Sequence, residues 1–181
     1  MQNGESGRKR MDINAAVLHG LVWSVIWGLP VTLMEVWWPQ LWVHDYPKVL
    51  QAVITLPPLT GTRKAAAHTF RAVWLLVVLG YVFFSVWRTY GAAPVGYGAV
   101  YLHVLVMNLL WNLVDTVVLD WGIFCTWRPR FIVLPGSEGH PAYRDYGYHL
   151  VALLKGCAIS VVGAAVLAGL CYGAMAWLVW R

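Results

Sequence analysis

Four long apolar segments dominate the chain and restrict it to folds that membrane lipid can solvate. Each has close to, or more than, the ~20 residues that a helix needs to cross a bilayer. The segments lie at about 15–38, 72–90, 95–121 and 151–180. Because lipid offers no hydrogen-bond partners to an open backbone, each segment must be helical. We therefore predict an all-α polytopic membrane protein, built as a four-helix transmembrane bundle.

Composition and charge support the same class. Hydrophobic residues make up 60% of the chain and charged residues only 12%, whereas soluble domains have about 25% charged residues. The net charge is +5, but the basic residues lie mostly in short connectors, as membrane orientation requires. We therefore predict a multi-pass protein of the cell membrane that contacts membrane lipids and does not bind nucleic acid. Residues 1–12 form a polar N-terminal tail, and 13–181 form a single transmembrane domain.

The segment 49–59 is apolar but too short for an ordinary span. Pro57 and Pro58 would break a helix near its end. We predict an interfacial or re-entrant segment here, with a fifth span as the alternative.

The basic residues give a prediction of orientation. With four spans, the connectors 39–71 and 122–150 share one side of the membrane, here called side X. Side X has eight Lys and Arg residues and the opposite side has five, so side X is predicted to be cytoplasmic. The cluster Arg8, Lys9 and Arg10, just before the first span, argues for the reverse orientation.

Acidic residues are concentrated at side X. Six of the eight lie on this side or within reach of it: Glu35, Asp45, Asp115, Asp120, Glu138 and Asp145. An Asp at the centre of a span costs about 2.5–3.5 kcal/mol. Removing a carboxyl group from water raises its pKa, so that it can act as an acid near neutral pH. We predict that Glu35 and Asp115, from the first and third spans, are catalytic acids.

Asn108, Asn112 and Asp115 follow i, i+4, i+7 spacing and share one helical face. Asn112 is predicted to orient the substrate. The alternative is that Asn112 and Asp115 hydrogen-bond to neighbouring helices. Asp120 is predicted to contact the substrate, or else to lie at the water boundary as a helix cap.

Both side-X connectors contain polar clusters. His44 and Asp45, in a run that ends at Pro47, are predicted to form an acid–base element, or alternatively a polar turn. The connector 128–149 is dense in hydrogen-bonding side chains and is predicted to form a lid. Arg130, Arg144 and Tyr146 are predicted to bind substrate from this lid, although basic residues after a span can also serve orientation alone.

The chain contains 12 Trp residues, most of which fit interfacial belts. Trp23, Trp27 and Trp111 lie deeper. They indicate either helix packing or an aromatic pocket, in which Trp27 and Trp111 would contact a lipophilic or cationic substrate.

No cofactor or metal is predicted. The three cysteines show no C-x-x-C spacing, and no zinc motif is present. His19 and His103 lie at similar depth, so a bis-histidine haem site is conceivable but has no supporting motif.

Ala165, Gly169 and Gly173 recur at four-residue spacing in the fourth span. Small residues at this interval let helices approach closely. We predict that this face packs against another span or against another copy in a homo-oligomer.

One combination of segments resembles a known group of proteins. It consists of His44-Asp45-Tyr46-Pro47, the stretch from Asn112 to Cys125, the stretch from Pro129 to Gly139, and Tyr143-Arg-Asp-Tyr146. This pattern, covering the first loop and 105–156, resembles a group of small bacterial four-span integral membrane proteins without an established activity. The resemblance implies only that the two side-X loops and the third span belong together.

The leading hypothesis is a membrane enzyme, an isomerase or cyclase, that acts on a lipophilic, isoprenoid-like small molecule by acid–base chemistry. A small transporter or proton pathway is the first alternative. A non-catalytic accessory or binding subunit is the second.

Overall fold

The computed structural model describes residues 10–181, so most of the predicted polar tail lies outside the described residues. Its helices are α1 (Ile13–Trp37), α2 (Lys48–Gln51), α3 (Gly61–Tyr90), α4 (Tyr97–Val114), which continues as a π-helix (Asp115–Trp127), and α5 (Tyr146–Leu178). Four of these are long and apolar enough to cross a membrane, when α4 and the π-helix are taken as one. The predicted all-α four-helix membrane bundle is confirmed.

Helix boundaries differ from the predicted spans because a helix continues past the segment that lipid surrounds. α3 begins at Gly61 rather than near 72, and α5 begins at Tyr146 rather than near 151. At the start of α5, the Asp145 carboxylate accepts a hydrogen bond from Tyr148 N at 2.9 Å. Such an N-cap satisfies a backbone donor that the first helical turn leaves free. Hydropathy therefore located the apolar parts of these helices but not their polar first turns.

Small residues on one face of α1 set its distance from α4. They recur every four residues, at Gly20, Ser24, Gly28 and Thr32. A Cβ on Gly20 would lie 2.7 Å from Leu110 Cδ1 and 3.2 Å from the Met107 backbone, so a larger residue would require Leu110 to move and would crowd α4. The two helices therefore pack closely at Gly20.

The deep tryptophans serve partly as packing residues. Trp23 Nε1 donates to Val78 O at 3.1 Å, and Trp74 Nε1 donates to Ile26 O at 3.0 Å. Both side chains are buried in the core that the spans share. These bonds tie α1 to α3, as expected for Trp N–H groups in an apolar interior.

The two side-X connectors fold together into an extramembrane cap, which we define as residues 38–60 and 128–145. Thr55 N donates to Pro135 O at 2.9 Å, and Tyr46 OH donates to Ile132 O at 3.0 Å. The cap has its own apolar core, which includes Leu50 of α2. Since α2 has only four residues and the chain after it is not helical as far as 60, the alternative of a fifth span is wrong.

The predicted small-residue face of α5 does not pack inside the bundle. Gly169 and Gly173 are exposed, and no described atom lies within 4 Å of a Cβ built on either. The neighbouring positions Ala164 and Ala168 are buried instead. Packing of the two glycines against another span is therefore wrong, while contact with another copy stays a prediction.

Candidate functional site

A cavity of about 360 Å³ lies beneath the cap, between α1, the π-helix and α5. α1 contributes Trp27, Val31 and Glu35, which lie on one face because they are four residues apart. The other helices contribute further polar groups, and the cap contributes Trp42 and Asp45 to the lining. Residues from both connectors and three spans therefore meet at one space.

The π-helix determines which of its side chains face this cavity. Its hydrogen bonds join residues five apart, so Asp115 and Asp120 lie one turn above the other, and both line the cavity. In an α-helix the same two residues would be about 140° apart around the axis. The widened helix thus presents two carboxyl groups to a single space.

Within residues 10–181, four carboxyl groups line the cavity, those of Glu35, Asp45, Asp115 and Asp120, and no Lys or Arg does. Among the described residues, the side chains of Glu35 and Asp115 have no hydrogen-bond or ion-pair partner. The alternative that Asp115 serves to bond a neighbouring helix therefore finds no partner in this part of the chain. Both groups are free to act on a molecule in the cavity.

His149 is the functional residue that the sequence did not single out. Its Nδ1 lies 3.1 Å from Asp120 Oδ1, and its side chain is only 6% exposed. The second ring nitrogen, Nε2, is buried without a hydrogen-bond partner among the described residues, in a side chain that lines the cavity. An Asp–His pair with one free nitrogen is a common acid–base arrangement.

No local motif reveals this pair, because Asp120 and His149 belong to different helices. The available signal was their position: both lie at the side-X end of a span, on the two sides of one connector. Their contact depends on the packing of α5 against the π-helix.

Indole groups form the inner wall of the cavity. Trp27 and Trp111 stack with ring centroids 5.4 Å apart and an interplanar angle of 22°. Trp27 Nε1 and Trp42 Nε1 are buried without a hydrogen-bond partner among the described residues, unlike Trp23 Nε1. An unpaired buried donor costs about 1–3 kcal/mol, so these N–H groups are suited to bind an acceptor on a ligand.

Asp45 and His44 occupy the rim. His44 Nε2 lies 3.3 Å from Asp45 Oδ1, and the His44 side chain is 70% exposed and does not line the cavity. The pKa of the Asp45 carboxyl is raised because its surroundings partly withdraw it from water; His44 lowers this pKa and Asp120 raises it. Burial also raises the pKa of Tyr46, the next residue, far above its ordinary value. Asp45 thus reaches the cavity and His44 faces water.

Asn112 lies outside the cavity, at the contact of α4 with α5. Its Nδ2 donates to Ser160 Oγ and to Asn108 O, each at 2.8 Å. Gly156 makes room for this amide, because a Cβ there would collide with Asn112 Oδ1. The structure therefore places Asn112 as a link between helices, the alternative that its spacing left open.

The three lid residues predicted to bind substrate also lie outside the cavity. Arg130 is exposed, and Tyr146 OH is 2.9 Å from Thr126 Oγ1. Arg144 lines a separate surface pocket of about 490 Å³ with Arg128 and His140. The predicted lid, 128–149, instead contributes Ile132, Tyr148 and His149 to the main cavity.

The histidines of the far side do not fit a haem. His103 Nδ1 is 3.4 Å from Tyr90 OH and His103 Nε2 is 3.3 Å from Ser85 Oγ, so neither nitrogen is free to bind iron. Among residues 10–181, no group of three His, Cys, Asp or Glu is placed to hold a metal ion.

Comparison with known proteins adds no assignment to this geometry. No protein-family model, curated protein or solved structure matches the chain.

Proposed function

We propose that the protein is an integral membrane enzyme that isomerises or cyclises a lipophilic, isoprenoid-like small molecule by acid–base chemistry. One observation carries the proposal. Unpartnered carboxyl groups of two spans, Glu35 and Asp115, meet the Asp120–His149 pair in a cavity walled by stacked indoles. Acids, a base and aromatic faces in one site are what such a reaction requires.

The chemistry begins with transfer of a proton. The carboxyl of Glu35 or Asp115 gives its proton to one carbon of a substrate double bond, which leaves positive charge on the adjacent carbon. The faces of Trp27 and Trp111 stabilise this charge by cation–π attraction. Loss of a proton from a different carbon to His149 Nε2 forms a double bond at a new position. The proton then returns to the carboxylate, so that atoms and charge balance.

Cyclisation differs only in its middle step. A second double bond of the same substrate attacks the cationic carbon and closes a ring before the proton is lost. This path requires that water be kept from the cation, because water would otherwise capture it.

Transport is less well supported by the same geometry. The cavity reaches inward to Trp27 and Trp111, and its lining includes neither His19 nor His103 of the opposite half. A proton pathway across the bilayer needs groups that continue to that side. An accessory subunit would not need unpartnered polar atoms in an internal cavity.

Proton exchange with solvent tests the proposal without knowledge of the substrate. The protein, in lipid nanodiscs, is incubated in D₂O with a mixture of isoprenoid hydrocarbons and alcohols, and mass spectrometry follows deuterium bound to carbon. Wild type should introduce deuterium, and Glu35→Gln and Asp115→Asn should abolish the exchange. Glu138→Gln is the matched control, because that carboxylate lies on the cap and accepts a bond from Gly136 N. Absence of exchange, or equal exchange by all four proteins, would refute the enzyme.

A further inference from the structure

A second, almost wholly apolar groove of about 440 Å³ runs along the outside of the bundle between α1 and the π-helix. Its length from Leu21 to Thr32 is about 16 Å at the rise of an α-helix. Leu29 and Val118, on its two walls, are 60% and 50% exposed. Since this part of the surface lies within the spans, the groove faces lipid.

The polar atoms along the groove are already satisfied. Ser24 Oγ donates to Gly20 O at 2.8 Å, and Thr32 Oγ1 donates to Gly28 O at 2.9 Å. Such bonds to the carbonyl four residues earlier satisfy the donor of each hydroxyl group. The groove is therefore suited to a hydrocarbon chain.

The groove and the cavity share a thin wall. Trp111 and Leu119 line both spaces. Gly28, on the groove side, meets only these two side chains within 4 Å, and a Cβ there would lie 3.5 Å from the Trp111 ring and 3.8 Å from Leu119. The side chains of Trp111 and Leu119 thus stand between the two spaces beside Gly28.

The lining of the cavity indicates which head group would be attached to a hydrocarbon chain in the groove. Two buried indole N–H groups, of Trp27 and Trp42, need an acceptor. The four carboxyl groups would attract an ammonium head, but such a head cannot accept from the indoles. An anionic head would meet the same carboxyl groups without any Lys or Arg from residues 10–181. An uncharged oxygen, as in an alcohol or a carbonyl group, satisfies the donors and avoids the repulsion.

We propose that the substrate is a single-chain neutral lipid with an alcohol or carbonyl head, which enters sideways from the bilayer past Gly28. Its head occupies the cavity and its chain occupies the groove. This inference rests on the proposed function, since it names the substrate class for the same site. The combined volumes fall within the ~300–1,000 Å³ of small-molecule sites, which suits one chain. Because the chain leaves lipid rather than water, the groove contributes position and shape selection more than affinity.

Photo-crosslinking tests the inference. The probe is a long-chain alcohol with a diazirine in mid-chain and a terminal alkyne, offered to the protein in nanodiscs. Labelled peptides should come from the groove, around Leu29 and Val118. The matched carboxylic acid and amine probes should label these peptides about tenfold less, a difference of ~1.4 kcal/mol in binding.

Filling the groove provides the matched variants. Gly28→Leu should remove labelling of the groove about tenfold, whereas Gly80→Leu should not, because Gly80 lies on the exposed face of α3 with no atom within 4 Å. Val118→Phe fills the opposite wall from an exposed position, and it serves if Gly28→Leu does not fold.

The outcomes separate the inference from the proposed function. Labelling in the groove without any deuterium exchange would support the lipid site and contradict the proposed enzyme activity. Deuterium exchange together with labelling spread evenly over the lipid-facing surface would support the enzyme activity and contradict binding of the chain in the groove. Equal labelling by the three head groups overturns the assignment of the head.

Discussion

His149 Nδ1 contacts Asp120 Oδ1 at 3.1 Å, while the opposite ring nitrogen is buried at the cavity without a partner among the described residues. With Asp120 ionised, this contact holds the imidazole proton on Nδ1 and leaves a lone pair on Nε2. The carboxylate thus positions the ring and determines its tautomer. In the proposed reaction this pair would supply the base that accepts the proton.

Asp120→Asn should therefore lower the rate of deuterium exchange, by about 10²–10⁴-fold if His149 is the base. An amide can donate to Nδ1 and so place the proton on the wrong nitrogen. Asp120→Glu should restore part of the rate, and its pH profile should resemble that of wild type. A structural role alone would instead give equal losses of stability in both variants, with exchange per folded molecule unchanged.

Gly156→Ala should destabilise the bundle by about 1–3 kcal/mol, because the new methyl group collides with Asn112 Oδ1. Alanine also favours the helix by about 0.8–1.0 kcal/mol, so a loss despite this gain points to the collision. Unfolding in detergent measures the effect. Gly163→Ala, on the same helix with no atom within 4 Å, should be neutral or stabilising.

Asn112→Ala in the Gly156→Ala background should recover part of the loss. Purely additive effects of the two substitutions would contradict the contact. The pair therefore tests whether Asn112 links α4 to α5.

The sequence predicted the bundle because apolar length determines where a helix crosses lipid. It also selected Glu35 and Asp115 together as acids of one site, since both lie in spans near side X and burial of a carboxyl demands a reason. In the structure both line one cavity. The depth of the two residues within their spans was sufficient for this inference.

The roles of Asp120 and His149 could not be derived in the same way. In a regular α-helix Asp120 would face away from Asp115. No residue pattern predicts the π-helix that brings both side chains to the same side. Asn112 illustrates a different limit of the sequence. Its helical face was predicted correctly, but spacing along one helix does not show which neighbouring helix that face contacts. The contacts of Arg130 and Arg144 depended on the path of a connector, which periodicity does not describe.

Glu35→Gln and Asp115→Asn should each stabilise the protein, by about 0.5–2 kcal/mol, while they abolish exchange. An amide keeps the shape of the carboxyl group and lacks the acid whose ionised form is costly inside a span. The measurement is the unfolding midpoint in nanodiscs at neutral pH. Destabilisation by either substitution would indicate a structural bond to the carboxyl group, and would favour the packing alternative for that residue.

Tyr46→Phe should lower stability by about 1 kcal/mol at neutral pH, because it removes the buried bond to Ile132 O. Burial raises the pKa of Tyr46 in the folded protein above its ordinary value. Above about pH 10 the unfolded chain therefore loses this proton while the folded chain keeps it. The contribution of Tyr46 to stability then falls as pH rises, by up to about 1.4 kcal/mol per pH unit.

Unfolding midpoints measured between neutral pH and about pH 11 test this. The difference between wild type and Tyr46→Phe should shrink, and then reverse, as the pH rises. A constant difference across the range would show that Tyr46 is exposed to water in the folded cap.

Trp27→Phe and Trp23→Phe should give opposite results, although the two residues lie one helical turn apart. Trp23 Nε1 donates to Val78 O, so its loss should cost about 1 kcal/mol of stability and leave exchange per folded molecule unchanged. Trp27 Nε1 has no partner among the described residues, so Trp27→Phe keeps an aromatic face toward Trp111 and removes only a donor to the ligand. Stability should stay within about 0.5 kcal/mol, while crosslinking to the alcohol probe falls. If both substitutions destabilise equally and neither affects labelling, Trp27 is a packing residue and the cavity does not recognise an oxygen head group.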